Sequence, residues 1–464
     1  MSAIHAFGGA VLMSALVQET GPSPAAAALA DVLYGIAAAP LTEAAAAATV
    51  MRLLHALGVG LVSTRLAPYA VSMRSVAAES GASTVLASSR PLSEGAAAFV
   101  NAVALHSSLQ EDCGPGGYRG GSHPGVYVIP AALAAAESAG ASGELFLRGV
   151  AVGYEAASRM GASMPAGLVR RKFRPVGVVG PFGAAAAAAA IFDGRASVLR
   201  RAIGFAANLA AGTGQGFVPG TMEPYFHAGF AARNGVLAAR LAAEGAPSAP
   251  EALDGPHGFF AVYAGEPGLY EALSAPAGQL AIEHLGSKKY ACCLQNQETL
   301  ELAGELRHRL GDTAVRRAVL ERPGTSANGT ASPGVGSPPP YRTMLQRQMS
   351  ARYTAAAALL GRDVGSPLYF QADDPEVARL ADEIELRTAA GDEIVLTAEL
   401  GHGQAVIRGR RADILFPTLA ETADHFLRRA GTVLGPARAA LARERLGSLA
   451  SLASVRELTH ALRG

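Results

Sequence analysis

The feature that most constrains the fold is a long series of alanine-rich segments with helical periodicity between residues 22 and 278. Apolar residues recur there at intervals of three and four, and Gly, Pro or Ser separates the segments. Thr42 followed by Glu43 predicts the start of one helix, and seven consecutive alanines at 184–190 lie in another. Small side chains let helices approach closely. This part of the chain is therefore predicted to be a bundle of many helices.

The pattern of apolar residues changes near residue 280. AVRRAVLERP (314–323) predicts a strand, and IELRTAAGDEIVLTAEL (384–400) predicts a hairpin because two alternating runs flank AAGDE. The Pro/Gly/Ser-rich stretch 327–342 predicts a loop, and helical patterns return after residue 411. We therefore expect a mainly α fold with an α+β second domain: a large all-helical domain (1–278 and 411–464) and a smaller inserted α+β domain (279–410).

Charge and cysteine content argue against several classes of function. The formal net charge is +1 and the basic residues are scattered, so no nucleic-acid partner is expected. The three cysteines, Cys113, Cys292 and Cys293, form no C-x-x-C motif, which argues against a disulfide framework and an iron–sulfur cluster. H-E-x-x-H and comparable metal-binding spacings do not occur, so no metal is expected.

The N-terminal residues 1–19 are apolar but lack the basic start and the clear cleavage site of a signal peptide. A buried N-terminal segment is the favoured interpretation. We also expect no membrane-spanning segment and a cytoplasmic location.

The densest polar stretch is LHSSLQEDCGPGGYRGGSHPG, residues 105–125. It contains the acidic pair Glu111 and Asp112, a glycine-rich run and His123. Glycines allow a close approach of the backbone to a ligand, and histidine is suited to proton transfer near neutral pH. The alternative is a surface loop with an incidental histidine.

Five further residues are candidates on weaker patterns. Arg174 precedes an apolar helix and offers a planar fork for a carboxylate, although a structural ion pair is the alternative. Lys288 can meet an anion, and Cys293 is either a nucleophile or a small buried apolar residue. His227 opens a helix, where a structural role is common. Tyr353, near another helix start, is a candidate phenol acid.

A set of stretches spanning nearly the whole chain resembles, in order, the MmgE/PrpD superfamily, which includes 2-methylcitrate dehydratases and cis-aconitate decarboxylases. These stretches are LLHALGVGLV (53–62), SHPGVYVIPAALAAAE, AVGYEAASRMG, RPVGVVGPFGAAAAAA, GTMEPYFHAGFAARNGVLAARLAAEG, GFFAVYAG, KKYACCLQNQ and MSARYTAAAALLG. The resemblance implies a large helical domain with a smaller α+β domain, a homodimer with a cleft between the domains, and a small-molecule substrate without metal or organic cofactor. It also implies removal of a proton next to a carboxylate, followed by loss of a group or by isomerisation.

The resemblance carries over residue by residue only in part. The positions that match its site pattern are Glu111, Asp112, His123, His227, Lys288, Cys293 and Tyr353. The positions that depart from it are Leu109 and Cys113 in the acidic run, Arg174 in place of a histidine, Pro224 in place of a lysine, and Asn296-Gln297 in place of a Thr-His pair.

These matches imply roles for the candidate residues. His123 is expected to transfer the proton, with Tyr353 as its acid partner and Asp112 orienting it. Arg174 and Lys288 are expected to hold an anionic or enolate oxygen, and the remaining candidates, Glu111, His227 and Cys293, are expected to line the substrate site.

Because guanidinium stays protonated, Arg174 is no general base, and a missing acid or base typically removes on the order of 10²–10⁴ in rate. We therefore expect a lyase or isomerase that abstracts a proton from a non-standard substrate of a specialised biosynthetic pathway, followed by elimination, isomerisation or ring formation. A single carboxylate is favoured over a tricarboxylate. Two alternatives stay open. One is a conventional 2-methylcitrate dehydratase or cis-aconitate decarboxylase, and the other is a non-catalytic binding subunit.

Overall fold

The structure is a computed structural model that describes residues 24–114, 122–324 and 333–464. Three sequence expectations lie wholly or partly outside this range. They concern the buried segment at 1–19, the glycine-rich run at 115–121 and the first part of the loop predicted at 327–342.

The first part of the chain is helical, as its periodicity predicts. Thr42 caps the second helix, because its side-chain Oγ1 accepts a hydrogen bond from the Ala45 N–H at 3.2 Å. Pro175 occupies the first turn of the eighth helix. N–H groups in a first turn have no acceptor within the helix, so the N–H that proline lacks is not missed there. The helices are α1 (Pro24–Ala37), α2 (Glu43–Ser63), α3 (Ala67–Ser75), α4 (Glu94–Ser107), α5 (Gly125–Ala139), α6 (Gly143–Ser163), α7 (Ala166–Arg170), α8 (Pro175–Phe192), α9 (Ala196–Ala207), α10 (Glu223–Ala243), α11 (Phe259–Ala264) and α12 (Tyr270–Ser274).

Helix α8 lies at the centre of this bundle and packs on α5, α6, α9 and α10. Its residues from Val176 to Ile191 are all buried. Where α6 crosses α8, an added Cβ on Gly153 would lie 2.7 Å from the Ala187 Cβ and 2.8 Å from the Gly183 carbonyl oxygen. The small residues of the sequence therefore set the distance between these helices.

Helices α2 and α8 are long and apolar enough to cross a membrane by length and composition alone. Most of each helix is buried inside the fold, which is what a core helix of the same composition also shows. The expectation of no membrane-spanning segment stays a prediction.

The second part of the chain combines short helices with a small mixed sheet. Its helices are α13 (Gln297–Leu310), α14 (Met344–Met349), α15 (Ala351–Leu359) and α16 (Pro375–Asp382). A two-residue ladder joins β1 (Asp112–Cys113) to β2 (Gly286–Ser287). The four-stranded sheet has the order β4-β3-β5-β6 and consists of β3 (Arg317–Arg322), β4 (Ile384–Thr388), β5 (Ile394–Glu399) and β6 (Gln404–Gly409). The strand expected within 314–323 is β3.

The hairpin predicted for residues 384–400 is wrong in its pairing. Both strands form, but β3 lies between them, parallel to β4 and antiparallel to β5. Ala318 and Leu320 of β3 are fully buried, which suits a central strand. The true hairpin is β5–β6, with its turn closed by the Leu400 N–H donating to the Gly403 carbonyl at 3.0 Å.

Buried apolar side chains form two clusters. The larger draws on the helices up to residue 285 and on the C-terminal helices α17 (Leu419–Leu434), α18 (Pro436–Gly447) and α19 (Arg456–Leu462). The Gly143 N–H donates to the Leu452 carbonyl at 3.0 Å, tying the C-terminal tail to the start of α6. The smaller cluster lies mainly within residues 291–407. The fold is thus mainly α with a smaller α+β part, and the exact boundaries of the two domains stay predictions.

Replacing Gly153 by Ala should destabilise the protein by about 1–3 kcal/mol, because the new methyl group has no space against α5 and α8. Gly304→Ala is the matched control, since an added Cβ in α13 meets nothing within 4 Å. It should stabilise the helix by about 0.5–1 kcal/mol. Urea unfolding with an unchanged m value measures both effects. Equal stability changes in the two variants would contradict this description of the helix contact.

Candidate active site

The site is built around the short ladder between β1 and β2. Asp112 pairs with Ser287 and Cys113 with Gly286 in antiparallel register. The main-chain N–H of Lys288 also donates to the Glu111 carbonyl at 3.2 Å. The polar stretch after α4 is thereby joined to the entrance of the second part of the chain.

Glu111 and Lys288 form a buried ion pair. Lys288 Nζ lies 2.8 Å from Glu111 Oε1, and each side chain is only 2% exposed. The same Nζ donates to the Leu109 carbonyl at 3.1 Å. Buried charges persist only when paired and hydrogen-bonded. The ammonium that was expected to hold a substrate oxygen is therefore already neutralised by Glu111.

His123 is held in one tautomer by the main chain. Its Nδ1 lies 2.7 Å from the Asp112 carbonyl oxygen, which only accepts hydrogen bonds. In the neutral ring Nδ1 therefore carries the hydrogen, and Nε2 keeps the lone pair. Nε2 lies 3.3 Å from Glu111 Oε1. Burial, and after it the cations of Lys288 and Arg174, lowers the pKa of His123 well below 6.5, so the ring is neutral at pH 7.

The carboxylate of Asp112 serves a different partner from the one expected. It accepts hydrogen bonds from the Tyr154 hydroxyl at 2.6 Å and from the Gly125 N–H at 3.1 Å. His123 is thus oriented by the main-chain oxygen of Asp112 and not by its side chain, which corrects the role expected from the sequence. Burial raises the pKa of this carboxyl to about 6.

Arg174, immediately before α8, lies among aromatic and imidazole rings. Its guanidinium carbon is 4.7 Å from the centre of the Phe217 ring, and its Nη2 is 3.5 Å from His106 Nε2. His106 Nδ1 in turn lies 3.6 Å from Glu111 Oε1. Burial lowers the pKa of His106 well below 6.5.

His227, in the second turn of α10, faces the same guanidinium. It is 7% exposed, and burial followed by the charge of Arg174 lowers its pKa to about 4. We name His106, His123, His227 and Arg174 the imidazole cluster. Because all three rings are held neutral beside one permanent cation, the cluster combines proton acceptors with an anion-binding group.

The backbone is strained just before three residues of the site. Among the described residues, four that are not glycine have positive φ, and three of them are Leu109 (50°), Ser122 (66°) and Lys172 (63°). They precede Glu111, His123 and Arg174, respectively, by one or two positions. Left-handed backbone at non-glycine residues costs free energy and is found preferentially at functional sites.

Tyr353 and Cys293 have different surroundings from His123. Tyr353 is buried in the smaller apolar cluster, with its ring 5.2 Å from that of Tyr341. Burial raises its pKa, and the charged groups that act on it are Arg347, Asp374 and Asp373. The partnership of Tyr353 with His123 stays a prediction.

Cys293 is 7% exposed, and its N–H donates to the Gln348 carbonyl at 3.1 Å. It precedes a short helical turn at 294–296. These contacts agree with the structural alternative for Cys293, and a chemical role for the thiol stays untested.

Three buried polar residues of the site were not singled out in the sequence. His106 lies in the quoted stretch 105–125, five positions before Glu111, and that proximity was the available signal. Tyr154 hydrogen-bonds Asp112, and Arg52 Nη1 donates to Ser287 Oγ at 2.9 Å. The only sign of Arg52 in the sequence was that it is a lone arginine within the apolar pattern of α2.

In the part of the chain that the structure describes, no group of three or more His, Cys, Asp or Glu side chains is arranged to hold a metal ion. Independence of metals and organic cofactors stays a prediction.

The fold and the site together define a class of protein. It is mainly helical, has a small α+β part, and carries a buried cluster of acid and base groups where the two parts meet. The MmgE/PrpD N-terminal domain matches residues 27–271, which is more than half of the chain. The chain therefore belongs to the MmgE/PrpD family.

Two curated relatives are cis-aconitate decarboxylases. The human enzyme is 29% identical over 305 residues, covering 62% of this chain and 60% of the human protein. The mouse enzyme is 27% identical over 378 residues, covering 77% of this chain and 74% of the mouse protein. The match to the human enzyme thus spans less than two thirds of that enzyme's length.

The pKa of Asp112 gives a prediction about stability. Its folded-state value of about 6 exceeds the value near 3.9 of an unfolded chain, so the folded protein binds more protons between these pH values. Stability from this group is present at low pH and is lost as pH rises through 6. Asp112→Asn should therefore become more stable relative to the wild type by about 2 kcal/mol between pH 4 and pH 7.

Urea unfolding at several pH values measures this difference. Asp312→Asn, which removes a fully exposed carboxylate, is the matched control. A difference between Asp112→Asn and the wild type that does not change with pH would contradict the raised pKa of the buried Asp112 carboxyl.

Proposed function

We propose that the protein is a decarboxylase- or dehydratase-like enzyme in which His123 removes a proton from a carbon next to a carboxylate. Membership of the MmgE/PrpD family and the similarity to cis-aconitate decarboxylases support the reaction class. The observation that carries the assignment to His123 is its ring geometry. The hydrogen bond from Nδ1 to the Asp112 carbonyl leaves a basic Nε2 on a ring that burial keeps neutral.

The neighbouring charges suit each step of this reaction. The C–H bond breaks, its proton passes to His123 Nε2, and its electron pair moves toward the substrate carboxylate. Glu111 Oε1, 3.3 Å from Nε2, stabilises the imidazolium that forms. The guanidinium of Arg174 binds the carboxylate and the negative charge that develops on it. In a dehydration, the hydroxide on the adjacent carbon then leaves with its electron pair and is protonated to water, and in an isomerisation the proton returns to another carbon. In a decarboxylation, the isomerised acid loses CO₂, the electron pair of the broken C–C bond stays on the substrate, and that carbon is protonated. Tyr353 is proposed as the acid for that last step.

The pairing of Lys288 supports a substrate with one carboxylate. Lys288 Nζ lies 2.8 Å from Glu111 Oε1, so its charge is already balanced inside the protein, and we assign the substrate carboxylate to the guanidinium of Arg174. Pro224 stands where the family resemblance places a lysine, and Arg174 where it places a histidine. We therefore propose a non-standard substrate instead of cis-aconitate or 2-methylcitrate. A homodimer in the cytoplasm, acting on a small molecule without a cofactor, belongs to the same proposal.

The test is proton exchange and turnover followed by NMR in D₂O. The purified protein is incubated with cis-aconitate, 2-methylcitrate and a panel of unsaturated or β-hydroxy monocarboxylates. We expect deuterium incorporation or product formation with a monocarboxylate, reduced by on the order of 10²–10⁴ in His123→Ala. His402→Ala, which changes an exposed histidine between β5 and β6, should keep full activity.

Undiminished exchange in His123→Ala would overturn the assignment of the base. Rapid turnover of cis-aconitate or 2-methylcitrate would show instead that Arg174 and Pro224 are compatible with a conventional family reaction.

The low pKa of His123 also predicts the pH dependence of the reaction. A base acts when deprotonated, so kcat/KM should fall only below pH 6.5, as the imidazole becomes protonated. No loss attributable to His123 is expected between pH 6.5 and 8. A pH series with the active monocarboxylate measures the midpoint of the acidic limb. A midpoint above 6.5 would contradict a buried neutral His123.

A further inference from the structure

A cavity with a volume of about 550 Å³ lies beside the same ladder. We name it the arginine pocket, and it lies between α2, α17 and the loop 362–368. Gln110 and Lys289 line it. Their neighbours Glu111 and Lys288 pair with each other, and Glu111 Oε1 lies 3.3 Å from Nε2 of His123 in the imidazole cluster. Successive side chains of extended segments point in opposite directions. The arginine pocket and the imidazole cluster are therefore two separate sites on either side of one backbone segment.

The arginine pocket carries an excess of positive charge. Five cationic side chains line it against the single carboxylate of Asp363, namely Arg65, Lys289, Arg362, Arg428 and Arg429. Lys289 pairs with Glu301, and Arg362 with Asp374 and Glu376.

Three of these cations lack a counter-ion. Within the described ranges, Arg65, Arg428 and Arg429 have no carboxylate within ion-pair distance. Arg65 donates to the Thr432 carbonyl, whereas the buried Nη1 of Arg429 has no hydrogen-bond partner. Burial, and after it the charge of Arg428, lowers the pKa of Arg429 to about 10. A buried donor without a partner costs free energy that a bound acceptor restores.

We propose that the arginine pocket binds a small organic polyanion through Arg428 and Arg429. Guanidinium groups present paired donors that match the oxygens of phosphate and carboxylate groups alike. Val59, Val62 and Leu368 add an apolar wall for a carbon skeleton. The volume lies within the range of small-molecule sites, roughly 300–1,000 Å³.

A ligand in this pocket contacts Gln110, on the segment that also carries Glu111. Gln110 Nε2 donates to the carbonyls of Lys289 at 2.5 Å and Gly365 at 3.1 Å, and the Gln110 carbonyl accepts from His55 Nε2 at 2.7 Å. Gln110 is adjacent to Glu111 in the chain. The polyanion thus binds one residue away from the imidazole cluster without occupying it.

The test is isothermal titration of the full-length protein with two probes, pyrophosphate and tricarballylate. The wild type should bind at least one of them. Arg428→Gln/Arg429→Gln should bind it at least tenfold more weakly. Arg443→Gln, an exposed arginine on α18 outside the pocket, is the matched control and should bind as the wild type does. His123→Ala should also keep the wild-type affinity, which separates this site from the proposed active site.

Each outcome decides a specific point. Loss of pyrophosphate binding alone assigns the pocket to phosphate esters, and loss of tricarballylate binding alone assigns it to polycarboxylates. The proposal is overturned if neither probe binds the wild type, or if the double variant binds as tightly as the wild type. Tricarballylate binding that survives in the double variant but is lost in Arg174→Gln would place that anion in the imidazole cluster. Should the double variant fail to fold by circular dichroism, the single variant Arg428→Gln, which changes an exposed side chain, gives the same decision.

Discussion

The buried ion pair between Glu111 and Lys288 is the interaction on which the arrangement of the site depends. It joins the segment after α4 to the segment that opens the smaller α+β part, next to the β1–β2 ladder. Removing either partner leaves an uncompensated buried charge, which typically costs about 3–5 kcal/mol. The pair therefore holds two parts of the fold in register. It also places one carboxylate oxygen within 3.3 Å of the imidazole that we assign as the base.

The same pair is one ground for the proposed substrate with a single carboxylate. Glu111 neutralises Lys288, and we propose that Arg174 binds the substrate carboxylate. That cation also keeps neighbouring imidazoles neutral, because a nearby positive charge disfavours protonation. Replacing a family histidine by Arg174 thus changes two properties at once. One possible proton carrier is lost, and the remaining histidines become stronger candidates for accepting protons at neutral pH.

Charge is distributed differently on the two faces of the segment 110–111. One face has the Glu111–Lys288 ion pair, the guanidinium of Arg174 and three neutral imidazoles. The other opens into the arginine pocket, where cations outnumber carboxylates. A single residue step in extended backbone separates the two, because side chains alternate in direction. Residues next to each other in the sequence, such as Lys288 and Lys289, consequently belong to different sites.

The sequence by itself determined the elements and most of the chemistry. Helical periodicity, the Thr42 cap and the alternating runs after residue 310 are local patterns, and they predicted the helices, the strands and the mainly α class. The resemblance to known enzymes singled out His123, Glu111 and Lys288, which the structure brings together. Only the tertiary structure decided the strand order, the partner of the Asp112 carboxylate, and the presence of His106 beside Arg174. These features depend on contacts between residues distant in the chain. β3 lies between β4 and β5 because this position buries Ala318 and Leu320. The Tyr154 hydroxyl donates to the Asp112 carboxylate because α6 packs beside it.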